Sequence, residues 1–383
     1  MTRIWTKHIT AQHYPVSVHC RKDDKPVHSA KPKITLTTVV LPLIGLTAFF
    51  LYILLFNVNI PEIIATAQRA DPAIYSAAVV VSLAEVLFYA VSWRALLDSL
   101  YVKISVIRSY LFVWYGIFMD IVIPAESISG ELCRVYLVNR EQCGTGGKVV
   151  ASVVTQRILG MGMNIVFLVA GISMLLTETQ VNPLIFNLIL FFTVSIAAIL
   201  VLLLMLSAKE KWSLKVINGL VRFGEFITRG KWKKLAFYKE EALKDAKIFH
   251  ESMKDFLHKP KTLFAPTVLL SINWLCSMAV PYLVFLSLDR NNPVPWSVIL
   301  ITSAIVVAVK SIPIGVPFEV GLPEITMTTL YTSMGVPAGI SATATILSRI
   351  LTLWLRFGVG FAAQQWIELK AVLLPTSSSA EKT

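Results

Sequence analysis

The chain has 383 residues, of which 55% are hydrophobic and only 15% charged, with a mean hydropathy of +0.68. Soluble domains carry about a quarter charged residues, so this composition excludes a soluble globular protein and indicates one that crosses a membrane several times. The formal charge of +12 does not indicate nucleic acid, because the Lys and Arg cluster beside apolar runs, where they report topology.

Residues 1–35 are polar, contain seven Lys and Arg, and read as a disordered cytoplasmic tail. Apolar spans follow at about 36–57, 73–93, 149–176, 184–206, 263–288 and 338–366. The first begins after the charged, proline-containing tail and is long enough to span, so it reads as a transmembrane helix and not as a cleavable leader. Two more apolar stretches, 104–123 and 297–312, each run into a segment rich in Pro and Gly, which break helices. The connection 207–262 holds fourteen Lys and Arg interleaved with apolar residues. It reads as amphipathic helices on the anionic cytoplasmic leaflet. Residues 367–383 form a second tail.

The only Lys or Arg in the connections 58–72, 177–183 and 289–295 are Arg69 and Arg290. Positive-inside asymmetry then places both termini and the long connection in the cytoplasm of a multi-pass cell-membrane protein. The spans alternate sides only if each broken segment enters and leaves on one face. The first hairpin, about 104–138, dips in from the cytoplasm, and the second, about 297–334, from outside. The expected fold is all-α, with about six full spans and two re-entrant hairpins. Residues 36–206 and 263–366 are its two transmembrane halves.

The hairpins carry the same acidic pattern. The first reads PAESISGE, with Glu126 and Glu131; the second reads PFEVGLPE, with Glu319 and Glu324. Each is followed by a span containing Arg-Ile-Leu: Arg157 lies 26 residues after Glu131, and Arg349 lies 25 after Glu324. Two related units facing opposite ways make an inverted-topology repeat, the architecture that builds a site near midplane between its halves.

A charge inside a span costs about 2.5–3.5 kcal/mol even on a lenient scale, so Arg157 and Arg349 need an interior position and partners. The four glutamates are the available partners. Either Glu131–Arg157 and Glu324–Arg349 pin each hairpin to its following span, or the two Arg grip a phosphate through their planar forks while Glu126, Glu131, Glu319 and Glu324 bind a cationic group of the substrate or carry protons; a pair can also do both. Arg349, roughly 16 Å into its span, lies deepest. Glu85, Asp120 and Lys310 are secondary cavity candidates, and Lys310 is also placed to neutralise Glu319. Arg356 is expected to snorkel toward the cytoplasm, and Trp93 in WRALL to anchor at the interface. CGTGGKVV fails as a phosphate loop, because Gln142 and Val149 occupy the positions needing Gly and Ser or Thr. The four Cys and six His show no ligand spacing. No cofactor is expected, and the motifs favour a transporter over an enzyme.

The segments SWRALL, IVIPAESISGELCRVYLV, SVVTQRILG, SIPIGVPFEVGLPE and TMTTLYTSMGVPAGISATATILSRILTLWLRFGVG resemble the lysylphosphatidylglycerol synthase transmembrane-region, or flippase-like, family over about residues 36–366. The Gly-Glu-x-x-Arg at Gly130, Glu131 and Arg134 and the Glu324 to Arg349 segment carry most of the likeness. The resemblance implies translocation of a lipid such as an aminoacyl phospholipid or a polyisoprenyl phosphate, with Arg134 joining the substrate-binding set. The soluble aminoacyl-transferase domain of fused members has no counterpart here, which favours moving a lipid over making one. Phe318 and Glu319 stand where the family usually has Gly-Gly, so its usual substrate is not carried over. The alternatives are a membrane transferase acting on a lipid-linked sugar, or a non-catalytic partner of a lipid-modifying enzyme.

Overall fold

A computed structural model describes residues 60–123, 128–142, 144–178, 183–210, 219, 235–310 and 321–373. The expected first span, the 1–35 tail, residues 374–383 of the second tail, residues 211–218 and 220–234 of the 207–262 connection, and the hairpin crests with Glu126 and Glu319 lie outside the described residues; residues 367–373 of the expected second tail instead continue the last helix. Every regular element among the described residues is helical. In chain order these are α1 (Ile60–Gln68), α2 (Pro72–Ser99), α3 (Val106–Val122), α4 (Ile128–Glu141), α5 (Gly146–Glu178) and α6 (Pro183–Ala208). Then follow α7 (Leu235–His258), α8 (Phe264–Leu288), α9 (Trp296–Lys310), α10 (Leu322–Ser333), α11 (Ala338–Arg349) and α12 (Arg356–Leu373). Five helical stretches are long and apolar enough to cross a membrane: Pro72–Ser99, Gly146–Met174, Ile189–Ser207, Pro260–Leu288 and Ala338–Lys370. The protein is therefore an all-α, multi-pass membrane protein.

Helix starts follow local chemistry. Asp71 caps α2 by accepting from the Ala73 and Ile74 N–H groups, with Pro72 at the first helical position. At α10, Gly321 has φ 101°, and Glu324 reaches back to accept from its N–H at 2.7 Å. The expected hairpins appear as two helix pairs, α3–α4 and α9–α10, each packed on itself.

The longest shared face in the bundle joins α2 to α8. They run antiparallel in one register. The Asp71 N–H donates to the Ser287 carbonyl, the Asn273 side chain to the Glu85 carbonyl, and the Ser92 hydroxyl to the Pro266 carbonyl. As α2 advances 14 residues from Asp71 to Glu85, α8 retreats 14 from Ser287 to Asn273. The remaining packing is reciprocal: α3 packs on α12, and its counterpart α9 packs on α5. Glycine permits both close approaches. A Cβ at Gly360 would sit 2.8 Å from the Trp114 carbonyl, and one at Gly171 would sit 3.0 Å from Ile301. Antiparallel equivalents with exchanged partners are what an inverted repeat requires.

One expectation is corrected. Trp93 is fully buried and donates its indole N–H to Ser152 at 3.0 Å, so it is a core residue and not an interfacial anchor. Within the connection, α7 turns Ala246, His250, Met253 and Phe256 inward. It meets α5 and the end of α6: Asp245 accepts from the Gly147 N–H, and His250 Nδ1 lies 3.2 Å from the Ser207 carbonyl. Lys244, Lys247 and Lys254 stay exposed on its outer side.

Candidate functional site

A cavity of about 560 Å³ opens between the two halves. Its polar walls come from α2, α3, α4, α5, α8 and α12, and Phe191, Phe192, Ile196 and Ile199 of α6 face it with apolar surface. Three carboxylates, Glu85, Asp120 and Glu131, and three guanidiniums, Arg134, Arg157 and Arg356, line it.

Two ion pairs are closed. Arg157 Nη1 lies 2.9 Å from Glu131 Oε1, joining α5 to α4, with side chains 28% and 22% exposed. Arg356 Nη2 lies 2.6 Å from Glu85 Oε2, joining α12 to α2. The expectation that Arg356 snorkels to the cytoplasm is therefore corrected: a carboxylate one helix away outcompetes the interface.

Asp120 and Arg134 belong to one helix crossing. α3 and α4 meet at Gly116 and Gly130, where a Cβ on Gly116 would lie 3.0 Å from the Gly130 carbonyl. Asp120, one turn after Gly116, accepts at Oδ1 from the Ser129 hydroxyl (2.7 Å) and the Gly130 N–H (2.6 Å). That carboxylate sits at the open N-terminus of α4, where backbone N–H groups lack intrahelical partners. Arg134, one turn after Gly130, is only 4% exposed. It donates to Gln156 Oε1 at 3.0 Å and to the Tyr89 hydroxyl at 3.4 Å. Its guanidinium also lies 5.4 Å from the Tyr89 ring centroid and 5.0 Å from that of Trp93.

The second half is built differently. Arg349 Nε lies 2.6 Å from Glu324 Oε1, with side chains 6% and 4% exposed, and neither residue lines this cavity. Residues seven apart share a face of an α-helix, and Arg157 and Asn164 do so on α5, both lining the cavity. Arg349 and Arg356 have the same spacing but flank a π-helical stretch, Ile350–Leu355. Its wider turn shifts the phase. Arg349 therefore meets α10, and Arg356 meets the cavity. Lys310 ends α9 and is not among the cavity residues.

Comparison with known proteins agrees with this architecture. A family model described as the lysylphosphatidylglycerol synthase TM region matches residues 39–360. The chain belongs to that family. A UPF0104 membrane protein of Pyrococcus horikoshii is similar, 25% identical over 323 residues that cover 82% of this chain and 93% of the relative. A UPF0104 membrane protein of Methanocaldococcus jannaschii is 22% identical over 337 residues, covering 87% of this chain and 95% of the relative. The lysylphosphatidylglycerol synthase TM region match spans both hairpins and every charged residue of the cavity.

Sequence reasoning singled out Glu85, Asp120, Glu131, Arg134 and Arg157, and the fold brings all five to one cavity. It missed Tyr89, Gln156, Asn164 and Asn273 there. Their signal was a weaker one of the same kind: an amide inside an apolar span also needs partners.

Proposed function

We propose that this protein is a lipid translocase. A phospholipid or lipid-linked headgroup enters the cavity between the halves, while its apolar chains stay against α6 and the bilayer. The observation that carries the reading is the two-sided character of the cavity. Charged and amide side chains form one part of its lining, and an apolar helix forms the other. α6 is the least buried of the candidate spans, so little packing need be broken for a chain to pass beside it. Membership in the lysylphosphatidylglycerol synthase TM region family agrees with a lipid role. Translocation in the cell membrane, with both termini cytoplasmic, follows from the same reading.

The Arg157–Glu131 and Arg356–Glu85 pairs hold the cavity in its resting form and offer donors and acceptors to an entering headgroup. The experiment is reconstitution into liposomes carrying acyl-labelled fluorescent phospholipids, with dithionite quenching to follow the outer-leaflet fraction. The protein should raise the quenched fraction, and Arg157→Gln should slow that rise at least tenfold. No movement above protein-free liposomes, or chemical conversion of the probe without movement, overturns the reading.

A further inference from the structure

We propose that the cavity selects a zwitterionic headgroup, with the phosphate on Arg134 and the ammonium on Asp120. This rests on the translocase reading for how the headgroup arrives, and it adds the class of substrate.

Of the six charged side chains lining the cavity, four form the two closed pairs. Asp120 and Arg134 remain, and among the described residues neither has an ion-pair partner. Arg134 is 4% exposed and bonds only to neutral acceptors, Gln156 and Tyr89. A guanidinium has about five N–H donors in a fixed fork, so donors remain for an anion. Aromatic faces at Tyr89 and Trp93 hold the group flat without neutralising it. Asp120 attracts it across the helix crossing, but no carboxylate among the described residues closes on it, and a buried cation without an anion in contact is costly.

Asp120 is complementary. Its Oδ1 is spent on Ser129 and the Gly130 N–H. Its Oδ2 lies over Gly130, where a Cβ would collide with it. That oxygen accepts no hydrogen bond from the described residues and is available to a cation. The two charges flank a glycine crossing one helical turn apart, so a single small headgroup can reach both.

Balance decides the ligand's net charge. Three carboxylates and three guanidiniums leave the described lining formally neutral. An anionic or cationic headgroup would carry an uncompensated charge into a poorly solvated space; a zwitterion would not. One further observation points to a polar occupant. Asn164, 3% exposed and lining the cavity, has a buried Oδ1 with no hydrogen-bond partner.

The test is equilibrium dialysis of the purified full-length protein in nonionic detergent against radiolabelled short-chain lipids. Dihexanoyl phosphatidylethanolamine is the zwitterion, and dihexanoyl phosphatidylglycerol is the anion with the same chains. The expected result is about tenfold tighter binding of the zwitterion. Arg134→Gln and Asp120→Asn should each remove that preference. Equal binding, a preference for the glycerol lipid, or no binding of either overturns the proposal. Inorganic phosphate should not displace the zwitterionic lipid at equal concentration; displacement with the lipid's own affinity would mean a site for a free anion, and would also overturn it. Asn at position 120 keeps an oxygen for Ser129 and Gly130. If Arg134→Gln fails to elute as a single species, the wild-type lipid comparison and Asp120→Asn decide. Preference in dialysis without movement in liposomes sinks the translocase reading alone. Movement without preference sinks the headgroup class alone.

Discussion

Arg349→Gln tests whether the second Glu–Arg pair is a structural pin. Arg349 and Glu324 are nearly sealed from solvent and meet at 2.6 Å. Removing one partner leaves Glu324 as a buried charge facing a neutral amide. Breaking such a pair costs about 3–5 kcal/mol, a factor of roughly 10² to 5 × 10³ in the folded-to-unfolded ratio. Glu324 also accepts from the Gly321 N–H through Oε2, and Gln at position 324 keeps an oxygen for that cap. The double variant Glu324→Gln with Arg349→Gln therefore removes both charges and preserves the helix start. Its cost should fall below the sum of the single costs by about 1–3 kcal/mol, the coupling expected of residues in direct contact. SDS-driven unfolding in mixed micelles, followed by helix content, measures all four proteins. Strictly additive costs would refute the pinning argument. Liposome assays on the same set add a second reading: because neither residue lines the cavity, the double variant should translocate near the wild-type rate, and loss of transport with an intact fold would put Arg349 on the substrate route.

Gly130→Ala should destabilise by about 1–3 kcal/mol, seen as a lower unfolding midpoint, because a Cβ there meets the Asp120 carboxylate and lies 2.5 Å from the Gly116 carbonyl. A midpoint equal to wild type would show that the crossing can open freely. Trp93→Phe keeps most of the packing but strips Ser152 of its indole donor; a loss of about 1 kcal/mol is expected in the same unfolding assay. Single Cys at Lys103, just past the end of α2, and at Asn291, just past the end of α8, should react with an impermeant thiol reagent from opposite membrane faces in a Cys-free background. Labelling of both from one face would contradict the antiparallel pairing of these helices.

Much of the architecture was legible in the sequence, because the bilayer imposes few options. Long apolar runs must be helices, since no water is present to satisfy exposed backbone. Pro and Gly inside two of those runs marked the breaks, and α3–α4 and α9–α10 appear there. Scarce charges in such a chain are expensive, so Glu131 with Arg157 and Glu324 with Arg349 could be paired from spacing alone. Spacing could not say which pair borders the cavity. That depended on helix phase, and the π-helical stretch at Ile350–Leu355 turned Arg349 away and Arg356 in. No residue pattern announced that stretch. Trp93 likewise matched an interfacial anchor by composition, but packing against α5 put it in the core. The sequence by itself determined that the chain crosses a membrane as helices, that it repeats, and which polar residues need partners, because each follows from local chemistry in an apolar solvent. Only the tertiary structure decided which of those residues face one another and which are left over, as Asp120 and Arg134 are. Partnership depends on how two helices from distant parts of the chain cross, and that crossing is set by packing across the whole bundle.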